Sequence, residues 1–210
     1  MILQAPQHPK AVIFVDGQNL FHAVKKAFGY TYPNSDITKL SQAICSAKGW
    51  DVQEIRFYTG IPDPSVKPDW HDFWIRRLTA MGQAGIKVYK RYLRYHNQIV
   101  TLPNGTQCSV QVGQEKGIDV RIAIDVIRLA HAKRYDVAII LSQDQDLSEV
   151  AEEIRVISTE QSRWIKIASS FPVSPTAINK RGINKTDWLP IDKQTYDACI
   201  DPRDYRTPTS

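Results

Sequence analysis

The sequence predicts an α/β protein built on a mainly parallel, doubly wound sheet flanked by helices, with a β-hairpin insertion. Ala11-Val12-Ile13-Phe14-Val15 and Val137-Ala138-Ile139-Ile140-Leu141 are continuous apolar runs. Such runs suit strands buried on both faces, as in a parallel sheet. Segments of helical periodicity separate these and several weaker strand signals, which argues for βαβ units with right-handed crossovers.

The first strand ends at Asp16-Gly17, and a helix over residues 18–28 follows, with Leu20, Phe21, Val24 and Phe28 on one face. Gly29 and the Pro33-Asn34-Ser35 turn close it. Ser35 or Asp36 then caps a second helix carrying Ile37, Leu40, Ala43 and Ile44. A strand over 51–59 leads into a proline-bearing loop and a helix over 70–81. Residues 86–89 form the next strand. Two short runs, 98–102 and 106–112, flank a Pro-Asn-Gly turn and read as a hairpin. A helix over 118–131, the strand within 136–142, a helix over about 147–157 and a strand over 164–168 complete the alternation. Beyond residue 171 the pattern weakens to a short helix, an edge segment at 187–191 and a frayed end.

A chain of 210 residues suits one domain, expected over 10–170, with a C-terminal extension at 171–210 packing on it. The net charge of +5 is moderate, so it is informative only where the positive charge is local. Cys45, Cys108 and Cys199 lie far apart without CxxC spacing. That argues against a zinc site or disulfide framework and for reduced thiols in a cytoplasmic protein. The leading MILQAPQHPK lacks an apolar signal core, and no run approaches the ~18 apolar residues of a membrane span.

Acidic residues collect where ligands of open α/β sheets bind, outside the carboxyl ends of the strands. Asp16 ends the first strand and Asn19 lies one turn beyond it. Asp144 and Asp146 follow the strand ending at Ser142, and Asp119 opens the fourth helix. Carboxylates packed together repel, which raises pKa values or recruits a cation. Mg²⁺ or Mn²⁺ suits such oxygen ligands, acidifies water and neutralises phosphoryl charge, the chemistry of phosphodiester hydrolysis. No GxSxG, P-loop or HExxH motif competes. Each acid also has a structural reading, as a turn, cap or first-turn dipole residue. Asp125 reads as a support for the site or a partner for a base.

Three segments carry a family resemblance. Ile13-Phe14-Val15-Asp16-Gly17-Gln18-Asn19-Leu20 resembles the opening motif of NYN-domain proteins, relatives of the PIN-like nucleases. Lys116-Gly117-Ile118-Asp119-Val120 resembles that family's Lys-Gly-x-Asp segment, and Ser142-Gln143-Asp144-Gln145-Asp146-Leu147 its Ser-Gly-Asp-x-Asp-Phe motif. The resemblance implies a PIN-like fold and metal-dependent ribonuclease activity. Asp16, Asp119 and Asp144 would be the metal ligands, with Asp146 a fourth catalytic acid. Asn19 and Ser142 would brace the site or contact substrate. Gln143 departs from the family glycine and is expected to crowd the metal edge or alter substrate approach; Leu147 departs from the usual aromatic.

The expected partner is RNA, single-stranded or structured, with no membrane and with a homodimer as an option. Lys87 to His96 mixes bases, including Lys90, Arg91 and Arg94, with three tyrosines, a composition suited to phosphates and unpaired bases. A charged, aggregation-resistant edge strand explains the same segment. Lys116, beside Asp119, is expected to hold a scissile phosphate, and Arg76-Arg77 and Arg121 to extend the track. Trp70 and Trp74 read as core, and the basic turn at 179–185 as a solvated loop. Two rivals remain: a non-catalytic RNA-binding regulatory module that retains the acidic pocket, and a phosphohydrolase acting on small phosphoesters.

Overall fold

A computed structural model of the chain describes residues 3–175, 177 and 179–206. The continuous apolar runs become the two central strands, β1 (Lys10–Asp16) and β6 (Val137–Leu141), paired in parallel. Side chains alternate across a strand, so every residue of a strand buried on both faces must be apolar. Ala11, Ile13, Val15, Val137, Ile139 and Leu141 enter one core layer; Val12, Phe14, Ala138 and Ile140 enter the other.

The element order is β1, α1 (Gly17–Phe28), α2 (Ile37–Ser46), β2 (Asp51–Ile61), α3 (Pro68–Gln83), β3 (Lys87–Tyr92), β4 (Arg94–Thr101) and β5 (Gln107–Gln114). It continues with α4 (Ile118–His131), β6, a 3₁₀ turn (Gln145–Leu147), α5 (Ser148–Glu160), β7 (Lys166–Pro172), β8 (Asp187–Ile191) and α6 (Lys193–Asp197). The main sheet runs β3-β2-β1-β6-β7-β8, and all its pairings are parallel. Helices α1 to α3 cover one face, and α4 and α5 the other. After β1 the chain winds outward through β2 and β3, then returns past β1 to wind the other way. The topological switch point therefore lies between β1 and β6, and ligands bind at the carboxyl ends there.

Local signals set the helix ends. Asp16 and Asp36 cap α1 and α2 by accepting the N–H groups of Asn19 and Lys39, each at 3.1 Å. Gly29, at φ 82°, ends α1 in the left-handed conformation that favours glycine.

Three boundaries differ from expectation. The basic run splits at Leu93, so Lys87–Tyr92 forms the sheet edge and the hairpin begins at Arg94 rather than at 98. Strand β7 continues to Pro172, and 187–191 joins it as a sixth parallel strand. A five-residue edge strand shows little period of its own; only Leu189 and Ile191 are buried, and Pro190 is tolerated at an edge. The short helix follows this strand instead of preceding it, and the expected frayed end falls partly on 207–210, outside the described residues. Among the described residues, no helix is long and apolar enough to cross a membrane.

Candidate active site

Asp16 is only 5% exposed at the carboxyl end of β1. It accepts the Asn19 N–H at 3.1 Å and the Ser142 hydroxyl at 3.3 Å. Burial pushes its pKa up to about 6, and the charges of Asp144 and Asp119 push the same way against those two hydrogen bonds. The next residue must be glycine, because a Cβ at Gly17 would sit 2.6 Å from the Phe57 ring.

The β6 side is built by backbone bonds. Ser142 Oγ accepts the Asp144 N–H at 3.2 Å, and Asn19 Oδ1 accepts the Gln143 N–H at 2.9 Å. Asp144 is half-buried and caps the following turn by accepting the Asp146 N–H at 3.1 Å; Asp146 is exposed. Asp119 is half-buried in the first turn of α4, which starts at Gly117 with φ 72°.

A further acid joins these four. Glu115, in the turn before α4, accepts the backbone N–H of Gly60 on β2. Burial pushes its pKa up to about 7, with Asp16 and Asp119 adding to the rise. The sequence reading passed over it because it follows a hairpin and ends no sheet strand. The available signal was Gly60, since an isolated glycine inside a strand marks a close backbone approach. A Cβ there would lie 2.8 Å from the Glu115 carboxylate.

Among the described residues, none of these five acids forms an ion pair. Their all-oxygen chemistry fits a hard divalent cation. Charge acts between Asp16 and each of Asp119, Asp144 and Glu115, yet among the described residues no three acidic, His or Cys side chains are close enough together to hold an ion. Asp16 and Asp144 each turn a carboxylate oxygen toward a local N–H.

Asp125 is not part of this edge. It is buried on α4 and receives Arg56, Tyr58, Arg121 and Arg128, as a partner for bases should. Of the two readings of Ser142 and Asn19, brace or substrate contact, their hydrogen bonds are those of a brace. Ser142 is 2% exposed and uses its hydroxyl inside the site, so it braces Asp16 instead of facing substrate. Asn19 is likewise engaged by Gln143. Arg77 is buried and donates to the carbonyls of Pro33 and Ser35, and Arg76 holds the carbonyls of Tyr205 and Arg206. Neither extends a track.

Lys90, Arg91, Arg94 and Lys116 are exposed. Arg91 donates to Tyr89 Oη at 2.7 Å and to the Lys116 carbonyl at 3.5 Å, which brings it to the start of α4. Arg121 stacks over the Tyr89 ring at 4.9 Å. Trp74 is core as expected, but Trp70 is 40% exposed.

The Gln143 side chain is engaged by the C-terminal segment. Its amide donates to the Arg181 carbonyl at 2.7 Å, while Gln145 grips the Gly182 carbonyl and the Asn184 N–H, each at 3.0 Å. The 179–185 turn is therefore docked along its main chain, and Lys185 pairs with Glu152 at 2.5 Å.

The family model for the NYN domain matches residues 10–175. No curated protein matches the chain. A crystal structure of a protein of unknown function from Vibrio parahaemolyticus RIMD 2210633 is similar at TM-score 0.51 and 20% identity, over 91% of this chain and 98% of that one. At that identity the likeness concerns the fold. A deacetylase of teicoplanin biosynthesis, in complex with teicoplanin, shows 10% identity and a TM-score of 0.31 over 75% of this chain and 68% of that one, too low to carry an argument.

Proposed function

The chain belongs to the NYN domain family, and from that premise we propose that it is a metal-dependent endoribonuclease that hydrolyses RNA phosphodiester bonds. NYN domains are generally nuclease-like and generally use divalent metals. One observation carries the proposal: Asp119, Asp144 and Glu115 lie near enough to Asp16 at the sheet's switch point for charge to act between each of them and it, none of the four is ion-paired among the described residues, and two have pKa values pushed well up. Uncompensated acids at a ligand-binding edge mark functional sites.

Asp16, Asp119 and Asp144 would hold Mg²⁺ or Mn²⁺, with Asp146 as a fourth acid at the exposed rim. Such an ion supplies an acidified water and neutralises charge on a phosphoryl oxygen. The remaining roles belong to the chain. Ser142 and Asn19 fix the acids; Lys116, Lys90, Arg91 and Arg94 hold RNA phosphates along the approach.

The test is a panel of labelled RNA, labelled DNA and a chromogenic phosphomonoester, each with EDTA, Mg²⁺ or Mn²⁺. The expected outcome is metal-dependent RNA cleavage that Asp16→Asn abolishes without loss of RNA binding. Unchanged cleavage in that variant overturns the assignment. RNA binding with no metal-dependent product establishes the non-catalytic module instead, and turnover of the monoester alone establishes the phosphohydrolase.

A further inference from the structure

Beside the acidic edge lies an aromatic cavity of about 190 Å³. Phe21 of α1, Trp70 of α3 and Tyr95 of β4 form its walls, with Pro62 and Trp74 buried beneath and Lys67 and His22 exposed at its rim. We propose that this cavity takes an unpaired nucleobase of the substrate strand, so that the chain selects single-stranded RNA. This rests on the nuclease reading above and names that site's substrate class.

The size argues for one planar ring system. Pockets for drug-sized ligands run to ~300–1,000 Å³, and this one is smaller. Its walls argue for a base, since any base has a π-face that stacks on an aromatic ring whatever the sequence. Trp70 is held edge-on by Phe73 at 5.2 Å and 74°, which fixes its ring while leaving 40% of the residue exposed. The Tyr95 hydroxyl accepts the Asp63 N–H at 3.2 Å, which anchors the second wall. Gly113 makes room for that wall, because a Cβ there would meet the Tyr95 ring at 3.0 Å.

Position ties the cavity to the acids. Gln18, two residues beyond Asp16, lines it and donates to the Gly60 carbonyl at 3.1 Å, while the Gly60 N–H donates to Glu115. One strand residue thus separates cavity and acids. Lys67 at the rim and Lys90, Arg91 and Arg94 on the neighbouring strands supply charge for a polyanion's backbone. A duplex keeps its bases stacked inside, so it gains only the phosphate contacts.

The experiment measures binding of the full chain, in EDTA, to an unstructured RNA carrying one 2-aminopurine, with a DNA of the same sequence and an RNA duplex as further arms. The expected result is quenched 2-aminopurine fluorescence on binding and single-strand affinity well above that for duplex. Trp70→Ala should weaken single-strand binding about 5- to 100-fold, with duplex affinity unchanged and Trp70→Phe restoring most of the loss. Equal binding of the DNA supports the pocket and widens its ligand to any unpaired base. No RNA binding, no quenching, or wild-type affinity in folded Trp70→Ala overturns the proposal. Tyr95→Leu provides the same test at the other wall. Failure here leaves Asp16-dependent cleavage standing; Trp70-dependent binding without cleavage leaves the pocket and removes the nuclease.

Discussion

The side-chain oxygen of Asn19 accepts the backbone N–H of Gln143 at 2.9 Å across 124 residues of chain. This bond ties the first turn of α1 to the segment leaving β6, and Asp16 and Asp144 sit on its two sides in sequence. A buried N–H that loses its acceptor costs about 1–3 kcal/mol. Asn19→Ala should lower Tm by roughly 2–12 °C and reduce RNA cleavage by more than that instability explains at 25 °C. Calorimetry beside a cleavage assay checks both. A normal rate in the variant would show that this tie does not position the acids.

Asp16 gives a pH prediction of definite sign. Its carboxyl holds a proton more tightly in the folded chain, at about 6, than at its ordinary value of 3.8. Ionisation of Asp16 therefore opposes folding. That cost is full above about pH 6, shrinks as pH falls through 6 and is gone below about 4. In EDTA, Asp16→Asn should be more stable than wild type at pH 7.5 by about 1–3 kcal/mol, and the two should converge near pH 4. Urea melts at several pH values measure the difference. A variant less stable at pH 7.5 contradicts the burial argument.

Asp125 supplies the contrast, an acid with a purely structural position. It is 2% exposed and receives three guanidinium groups and the Tyr58 hydroxyl. Asp125→Ala leaves Arg121 and Arg128 without a counter-charge and Arg56 with Glu54 alone, and breaking a buried ion pair costs about 3–5 kcal/mol. Denaturant unfolding should show that loss, while cleavage per folded molecule at low temperature stays near wild type. A selective loss of cleavage would move Asp125 into the site.

Much of this was legible because it is local or periodic. The paired apolar runs fixed the central strands, and their ends placed Asp16 and Asp144 at the switch point. What escaped depends on partners distant in sequence. Glu115 follows a hairpin, and only its bond to Gly60, 55 residues earlier, brings it to the acids. Ser142 could be read as a brace or as a substrate contact, and only the enclosure of its hydroxyl by Asp16 and the Asp144 N–H decides for the brace. Trp70 and Trp74 share a helix face at four-residue spacing, so periodicity could not separate a core ring from a half-open one. The basic run read as one patch because no sequence signal marks Leu93, where the chain leaves the sheet for the hairpin.

The bond between Glu115 and Gly60 can be broken from either end. Gly60→Ala puts a methyl 2.8 Å from the carboxylate and 2.6 Å from Leu93, so the turn before α4 must shift. Glu115→Gln keeps the volume and an acceptor oxygen but removes the charge. If Glu115 contributes through its charge, both variants lose metal-dependent cleavage. If it serves only to seat the turn, Glu115→Gln stays active while Gly60→Ala fails. Cleavage rates at saturating Mg²⁺ or Mn²⁺ separate the two cases, and the expected result is loss in both.

Gln143 tests whether a departure from the family glycine matters. Its amide reaches the Arg181 carbonyl at 2.7 Å. Gln143→Gly removes that clamp but leaves the backbone N–H that Asn19 binds. Cleavage and its metal dependence should stay within about threefold of wild type, since one hydrogen bond of this kind is worth about 0.5–1.5 kcal/mol to stability and touches none of the acids. The effect should appear instead at 179–182, as faster hydrogen exchange or proteolysis, while Gln145, Ser169 and Trp188 still hold Gly182, Ile183 and Asn184. A cleavage rate raised tenfold or more would mean that the glutamine side chain obstructs the edge.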